Sequence, residues 1–476
     1  MRCNMENKVS FKEASIVLLG MLLVMGLGVI KFGLSPQTPV LLVLVIVTFW
    51  AKFRHFAWSD VDDGIKEGIQ TGIIPIFIFI LVGALISTWI AAGIIPSMMV
   101  LGFHMISVKW FVPSVFVVCA LVGTSIGSAF TIISTIGIAF FGMGLTMGVN
   151  PALVAGAIIS GAIFGDKSSP LSDSTNLASA VADVDLFKHI KNLMWSTIPA
   201  FIGSLILYAI LGYQATTTAN LGKINQTVAV LESHFSVSAW AIIPIALMFF
   251  CAWRKIPAIP TLFINIVVSV VMIFIEQPQT QISKIATIIE NGFVAKTGNA
   301  SVDALLTRGG IGSMMGTVSL IILTLSLGGL LMKFGLIQAV MTPLAKRLNS
   351  DGKLVTATIF TGIGVNLFIG EQYLSVILPG KAFKKPFQDA GLANEALSRV
   401  LEDGGTVINY LIPWGVAGAF AANTLGVPVL HFLPFAFFSI LSPIFSIISG
   451  FTGIGMKHVT DSKKTEAVPD SEGGLN

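Results

Sequence analysis

The stretch GDKSSPLSDSTN (165–176) sets Asp166, Lys167 and Asp173 between two apolar flanks, ALVAGAIISGAIF (152–164) and LASAVA (177–182). A charged side chain at bilayer depth costs about 3 kcal/mol or more, so it belongs in a cavity, where it serves a function, rather than against lipid. The glycine, serines and proline around the aspartates interrupt helical hydrogen bonding and free backbone carbonyls. Hydrocarbon tolerates such a break only where it lines a wet, protein-enclosed site. Carboxylates, hydroxyls and loose carbonyls are together the oxygen ligands of a hard cation. Asp166 and Asp173 are therefore candidates to bind a cation and a proton in turn. Thr175 and Asn176 open the half-helix after the break and are the expected neutral ligands. Taken singly, each hydroxyl here, Ser169 included, reads as a helix cap, and the aspartates themselves could cap helix ends at a water interface. Lys167 has two readings: it pairs with one of these aspartates and is displaced by the ion, or it snorkels.

A second stretch, LEDGGTVINYLIPWGV (401–416), repeats the pattern with Glu402 and Asp403 ahead of a glycine pair and Asn409 and Pro413 at the break. Asn409 is a candidate neutral ligand. Asp403 is the acid expected to face inward, although either acid could sit at a cytoplasmic end. Glu371, in NLFIGEQYLS (366–375), is a candidate accessory acid or gate. The stretch GTSIGSAFT (123–131) offers hydroxyls and no charge: Ser125, Ser128 and Thr131 read as supports of the site. GTSIG also fits the G-x-S-x-G nucleophile elbow, but that motif needs a strand before it, a helix after it and a histidine partner. Both flanks here are apolar helical runs, so no enzyme is expected. His104, His189 and His431 lie near loop ends and read as interfacial.

The elements that must position these residues follow from composition. The chain has 476 residues, 54% hydrophobic and 11% charged, with a mean hydropathy of +0.87. Soluble domains carry about 25% charged residues, so this is an all-α polytopic membrane protein. A net charge of +4, spread along the chain, argues against nucleic acid. Cys3, Cys119 and Cys251 are scattered without disulfide or metal spacing, and no cofactor cradle is evident. The first apolar run, Ala14–Ile30, has no small-residue cleavage site and reads as a retained helix. Two runs near 30 residues, Phe111–Phe141 and Leu354–Phe383, are punctuated by glycine and read as hairpins that enter and return to one face. With that topology, 21 Lys and Arg fall on one side, in loops that include 381–403, and six on the other. This asymmetry puts both termini in the cytoplasm of a prokaryotic plasma (inner) membrane.

Sliding the chain against itself by about 242 residues aligns Asp62/Gly68 with Asp303/Gly309, Gly127/Gly137 with Gly370/Gly380, and Asp166/Pro170 with Asn409/Pro413. The basic-residue count runs Thr71–Ala92 outward and Ile311–Met332 inward, so the repeats are inverted. The expected architecture is an inverted-repeat secondary transporter with two re-entrant hairpins and broken helices. Its parts are N-terminal helices (1–57), a first repeat (58–213), connecting helices (214–300), a second repeat (301–451) and a polar cytoplasmic tail (452–476).

GDKSSPLSDSTNLA (165–178), preceded by AGAIISGAIF, closely resembles a signature of the NhaC-type Na+/H+ antiporters. LSRVLEDGGTVINYLIPWGVAGAFAANTLGV (397–427) and FIGEQYLSVILPGKAF (368–383) resemble further stretches of that family, and the likeness runs from about Phe11 to Gly450. The resemblance implies Na+/H+ exchange; with the residues above, the leading expectation is exchange of cytoplasmic Na+ for external H+, with Asp166, Asp173, Thr175 and Asn176 as Na+ ligands and the two ions competing for buried carboxylates. It also implies no cofactor beyond the transported Na+ and H+, and elevator-type movement within the larger ion-transporter superfamily. The family also contains exchangers of the malate/lactate type, so Na+- or H+-coupled exchange of an organic anion is the alternative. Lys167 and the helix start at Ser174–Thr175 would then hold the anion. Expected partners are Na+, H+ and membrane lipid; a homodimer is compatible with the sequence.

Overall fold

In a bilayer each backbone polar group must be satisfied within the protein, so apolar sequence of membrane length folds as helix. A computed structural model describes residues 9–216, 221–344, 348 and 350–459. The polar tail from Thr460 lies outside the described residues. Among them, the extended pairing amounts to two isolated bridges, Phe293–Arg308 and Leu392–His458. Seven helices are long and apolar enough to cross a membrane, or up to ten if each of three bent pairs counts as one span. The apolar residues Pro39–Trp50 lie within the helix Gln37–Phe53, and Ala239–Trp253 meets Gly222–His234 at a 90° bend.

Both expected hairpins turn by one device. The helix Phe111–Ile126 stops at Gly127, whose φ of +73° is left-handed and whose N–H donates to Gly123 O at 2.7 Å. Ser128 follows in extended conformation, and its hydroxyl accepts the N–H of Thr131 to start the helix Ala129–Ser134. In the second half, Asp351–Ile369 stops at Gly370, again at φ +73°, with its N–H donating to Asn366 O at 2.8 Å. Glu371 is then extended, and its Oε2 accepts the N–H of Leu374 at 2.8 Å to start Gln372–Asp389. Glycine fits the turn because a Cβ opposes left-handed backbone.

The broken helices correspond just as closely. Pro151–Ser168 breaks at 169–172 and resumes as Asp173–Ala182. Asn394–Gly405 breaks through a short turn at Asn409–Leu411 and resumes as Val416–Leu425, with a bend of 41°. The resumed halves end on left-handed residues, Asp183 and Gly426. Within each repeat the hairpin and the broken helix meet through small residues: a Cβ on Gly165 would lie 2.4 Å from Gly123 Cα, and one on Gly362 would lie 2.9 Å from the carbonyl carbon of Gly404. Small residues let two backbones approach this closely.

One expectation is overturned. Residues 381–403 read as a cytoplasmic loop, with Arg399 among its basic residues. Instead Gln372–Asp389 is continuous helix through this region, and Asn394–Gly405 is a helix whose residues from Glu395 onward are all buried. Arg399 is fully buried, donating to Ser449 Oγ at 2.9 Å and to Gly455 O at 3.1 Å. Hydropathy scores these side chains as solvent-seeking, yet their partners are supplied by another helix.

Candidate functional site

The break at 169–172 is held open by its own hydroxyls. Thr175 Oγ1 donates to Lys167 O at 3.1 Å and, more loosely, to Asp166 O at 3.4 Å, closing carbonyls that the lost helical turn frees. Asn176 Nδ2 donates to Ser172 O at 2.7 Å and to Pro170 O at 3.1 Å. Ser169 is buried, and its hydroxyl accepts the N–H of Leu171 at 3.2 Å. The first hairpin tip packs directly on this break, since a Cβ on Gly127 would lie 2.9 Å from both Ser169 Oγ and Leu171.

Between hairpin tip and break lies a half-enclosed cavity of about 430 Å³, lined among others by Asp166, Asp173, Ser174, Asn176, Ser128 and Thr131. Asp166 is half-buried and Asp173 exposed, both toward this space. The Ser172 hydroxyl and the Ala129 N–H face the Asp166 carboxylate, and the charges of Asp166 and Asp173 act on each other. The arrangement suits a small cation: two carboxylates with amide and hydroxyl oxygens beside them. Among the described residues no three of His, Cys, Asp and Glu converge.

Of the expected cation ligands, Asp166, Asp173 and Asn176 line the cavity, while Thr175 is spent on the carbonyls of the break. Among the support residues, Ser128 and Thr131 line it, Ser169 sits beneath the tip, and Ser125 is exposed with its hydroxyl donating to Leu121 O at 3.1 Å. The GTSIG pattern thus sits where one helix ends and another begins, without the strand an elbow requires. Glu371 does not line the cavity; it is buried and caps its own helix. Its neighbours Gln372 and Tyr373 reach the cavity instead, bringing the second repeat's tip to the first repeat's break. Sequence reading passed over both, and over Lys255 and Thr261 in the same wall; adjacency to Glu371 was the sole signal for the first two.

Lys167 follows neither of its expected readings. It is 1% exposed, and its Nζ donates to Asp403 Oδ1 at 2.5 Å and to Ser442 Oγ at 2.7 Å. Its carboxylate partner is therefore in the other repeat, and Asp403, fully buried, lies outside the cavity lining. Asn409 is also buried away from that lining. Its Nδ2 donates to Asn366 Oδ1 at 2.7 Å and its Oδ1 accepts the N–H of Ala417 at 3.0 Å, while Asn366 Nδ2 donates to Gly405 O at 2.6 Å. This amide chain ties the second hairpin to the second break. His189, read as interfacial, is fully buried, 2.7 Å from Ser398 Oγ. Its chain neighbours, Lys188 and Lys191, made the segment look like a loop.

The profile of the Na+/H+ antiporter family matches residues 161–454, which hold both breaks and the second hairpin. The Na+/H+ antiporter NhaC of Alkalihalophilus pseudofirmus is 40% identical over 453 residues, spanning 95% of this chain and 98% of that protein. The chain belongs to the NhaC-type Na+/H+ antiporter family. Other relatives of this NhaC-type chain carry names with organic cargo. The arginine/ornithine antiporter ArcD of Halobacterium salinarum is 35% identical, over 94% of this chain and 93% of that one. The malate-2H+/Na+-lactate antiporter of Bacillus subtilis is 32% identical, over 92% and 94%. Its relatives are thus antiporters, and this NhaC-type chain is a multi-pass membrane protein.

Proposed function

We propose that this protein exchanges cytoplasmic Na+ for external H+ by alternating access, the two ions competing for Asp166 and Asp173. The observation that carries the reading is that both carboxylates, with Asn176 and Ser174, line one cavity roofed by the tips of both hairpins. Either ligand neutralises the site enough for the element bearing it to move. The empty site carries two negative charges, and moving bare charge through the hydrocarbon region is too costly. Competition for one set of oxygens thereby couples the fluxes without a separate gate. Lys255 and Pro257, which line the cavity, belong to a turn on the side rich in Lys and Arg, so the cavity opens to the cytoplasm in this state.

The test is Na+-driven pH change in proteoliposomes, comparing Na+, K+ and Li+. Asp173→Asn should abolish the signal while the protein still inserts; full activity in that variant would refute the assignment.

Exchange of an organic anion is the second reading, favoured by the malate and lactate in one relative's name and by Lys255 in the cavity wall. Lys167 does not serve it, because Asp403 and Ser442 already engage its ammonium. Uptake of labelled malate or lactate, dependent on Lys255, would establish this reading in place of the first.

A further inference from the structure

Outside the cavity, Glu402 and His189 are both fully buried. The carboxylate Oε1 and the ring Nε2 lie 3.9 Å apart, and neither atom has a hydrogen-bond partner. The other polar atom of each is held. Thr406 Oγ1 donates to Glu402 Oε2 at 2.5 Å, and His189 Nδ1 lies 2.7 Å from Ser398 Oγ, which is also 3.0 Å from Glu395 O. Proton counting follows from the inventory of donors. If Ser398 gives its hydrogen to Glu395 O, it accepts from Nδ1–H, and Nε2 turns a lone pair toward the carboxylate. Two bare acceptors facing each other in a dry interior are unfavourable, so one of them takes a proton. If Ser398 instead donates to Nδ1, the ring hydrogen sits on Nε2. Both arrangements put a proton between Nε2 and Oε1, but the first holds one proton more, on Nδ1, and the two interconvert when Nδ1 loses that hydrogen and Ser398 turns its own toward the ring.

We propose that Glu402 and His189 form a second proton-binding site, distinct from the cavity acids, which sets the cavity's affinity for its cation. This rests on the exchange reading above. In the first arrangement the pair is neutral overall; in the second, one proton poorer, it carries one negative charge. Glu402 and Asp166 act on each other electrostatically, so release of the proton as pH rises strengthens the pull on a cation beside Asp166. On the same helix as Glu402 stand Glu395, Arg399 and Asp403; Lys167 comes from the first broken helix, and Lys188 and Lys191 flank His189. Of the helices packed against Asn394–Gly405, Phe437–Thr452 has no ionisable side chain, Asp173–Ala182 has Asp173 alone, Asp351–Ile369 has Asp351 and Lys353 in its first turn, and Gln372–Asp389 has Tyr373 near its start and Lys381, Lys384, Lys385 and Asp389 in its second half. The pair therefore sits among charges of both signs, and on this proposal removing it should change pH dependence rather than activity alone.

The experiment is the apparent KM for Na+ across pH in proteoliposomes. In the wild type KM should fall as pH rises. In Glu402→Gln the fall should be shallower, with KM about threefold to tenfold above wild type at the alkaline end and unchanged at the acidic end, one pH unit being a tenfold change in proton activity. His189→Asn should flatten the profile likewise, and Glu402→Asp should restore part of the slope. Should those variants fail to fold, Ser398→Ala leaves Glu402 and His189 in place, removes only the hydroxyl beside Nδ1, and should still displace the pH step. A KM raised by the same factor at every pH, or a wild-type profile in all variants, overturns the proposal. If the wild type moves no protons against Na+, the exchange reading fails on its own. Binding of radiolabelled Na+ to purified protein against pH then still tests the pair, with the same expected and overturning profiles.

Discussion

Asp166 and Lys167 are consecutive, yet one faces the cavity and the other an ion pair in the opposite repeat. Successive residues of an α-helix point about 100° apart, so neighbours in sequence need not share an environment. Thr175 and Asn176 show the same division at the start of the next half-helix: the hydroxyl closes freed carbonyls while the amide borders the cavity. The Lys167–Asp403 pair makes a residue-scale prediction. Removing one partner of a buried pair leaves an uncompensated charge and costs about 3–5 kcal/mol, whereas replacing both with apolar groups of similar volume can be neutral. Lys167→Met should therefore lower the melting temperature in detergent sharply. Adding Asp403→Leu should recover most of the loss. An equal loss in the double variant would show that the pair does more than neutralise itself.

The hairpin and the broken helix of each repeat work as one packed unit, and glycine makes the packing close. Gly165→Ala would put a methyl 2.4 Å from Gly123 Cα, and overpacking of this kind costs about 1–3 kcal/mol through backbone displacement. Because Asp166 follows Gly165 directly, the same displacement should also weaken Na+ exchange. Gly20→Ala, where nothing lies within 4 Å of the new methyl, should leave both melting temperature and exchange unchanged. Loss of stability in the control, or none at Gly165, would remove this account of the hairpin–helix contact.

The two repeats meet at the site: the first supplies the acids, and the second supplies Gln372 and Tyr373 to the cavity and Asp403 to Lys167. The proposed alternating access predicts a sided cavity. Thr261 lines it, is half-buried and lies outside the proposed ligands, and the native Cys119 and Cys251 are free and buried. Thr261→Cys, with Cys3 replaced, should react with a membrane-impermeant maleimide from the cytoplasmic face, and saturating Na+ should slow the reaction. Labelling from the external face alone would reverse the orientation.

Much of this was legible in residue order because it is local. Membrane class follows from hydropathy, the break at 165–176 from charge and proline in an apolar run, and the hairpin turns from Gly127 and Gly370. The offset that aligned the repeats reappears as matched caps and matched breaks. What stayed hidden is pairing over distance: Lys167 with a carboxylate 236 residues away, Tyr373 beside the first repeat's acids, His189 against Glu402, and Arg399 buried in what reads as a loop. A polar side chain written alone in a sequence carries no mark of its partner. Local pattern determines that it must be satisfied, and the packing of remote segments against one another decides by what.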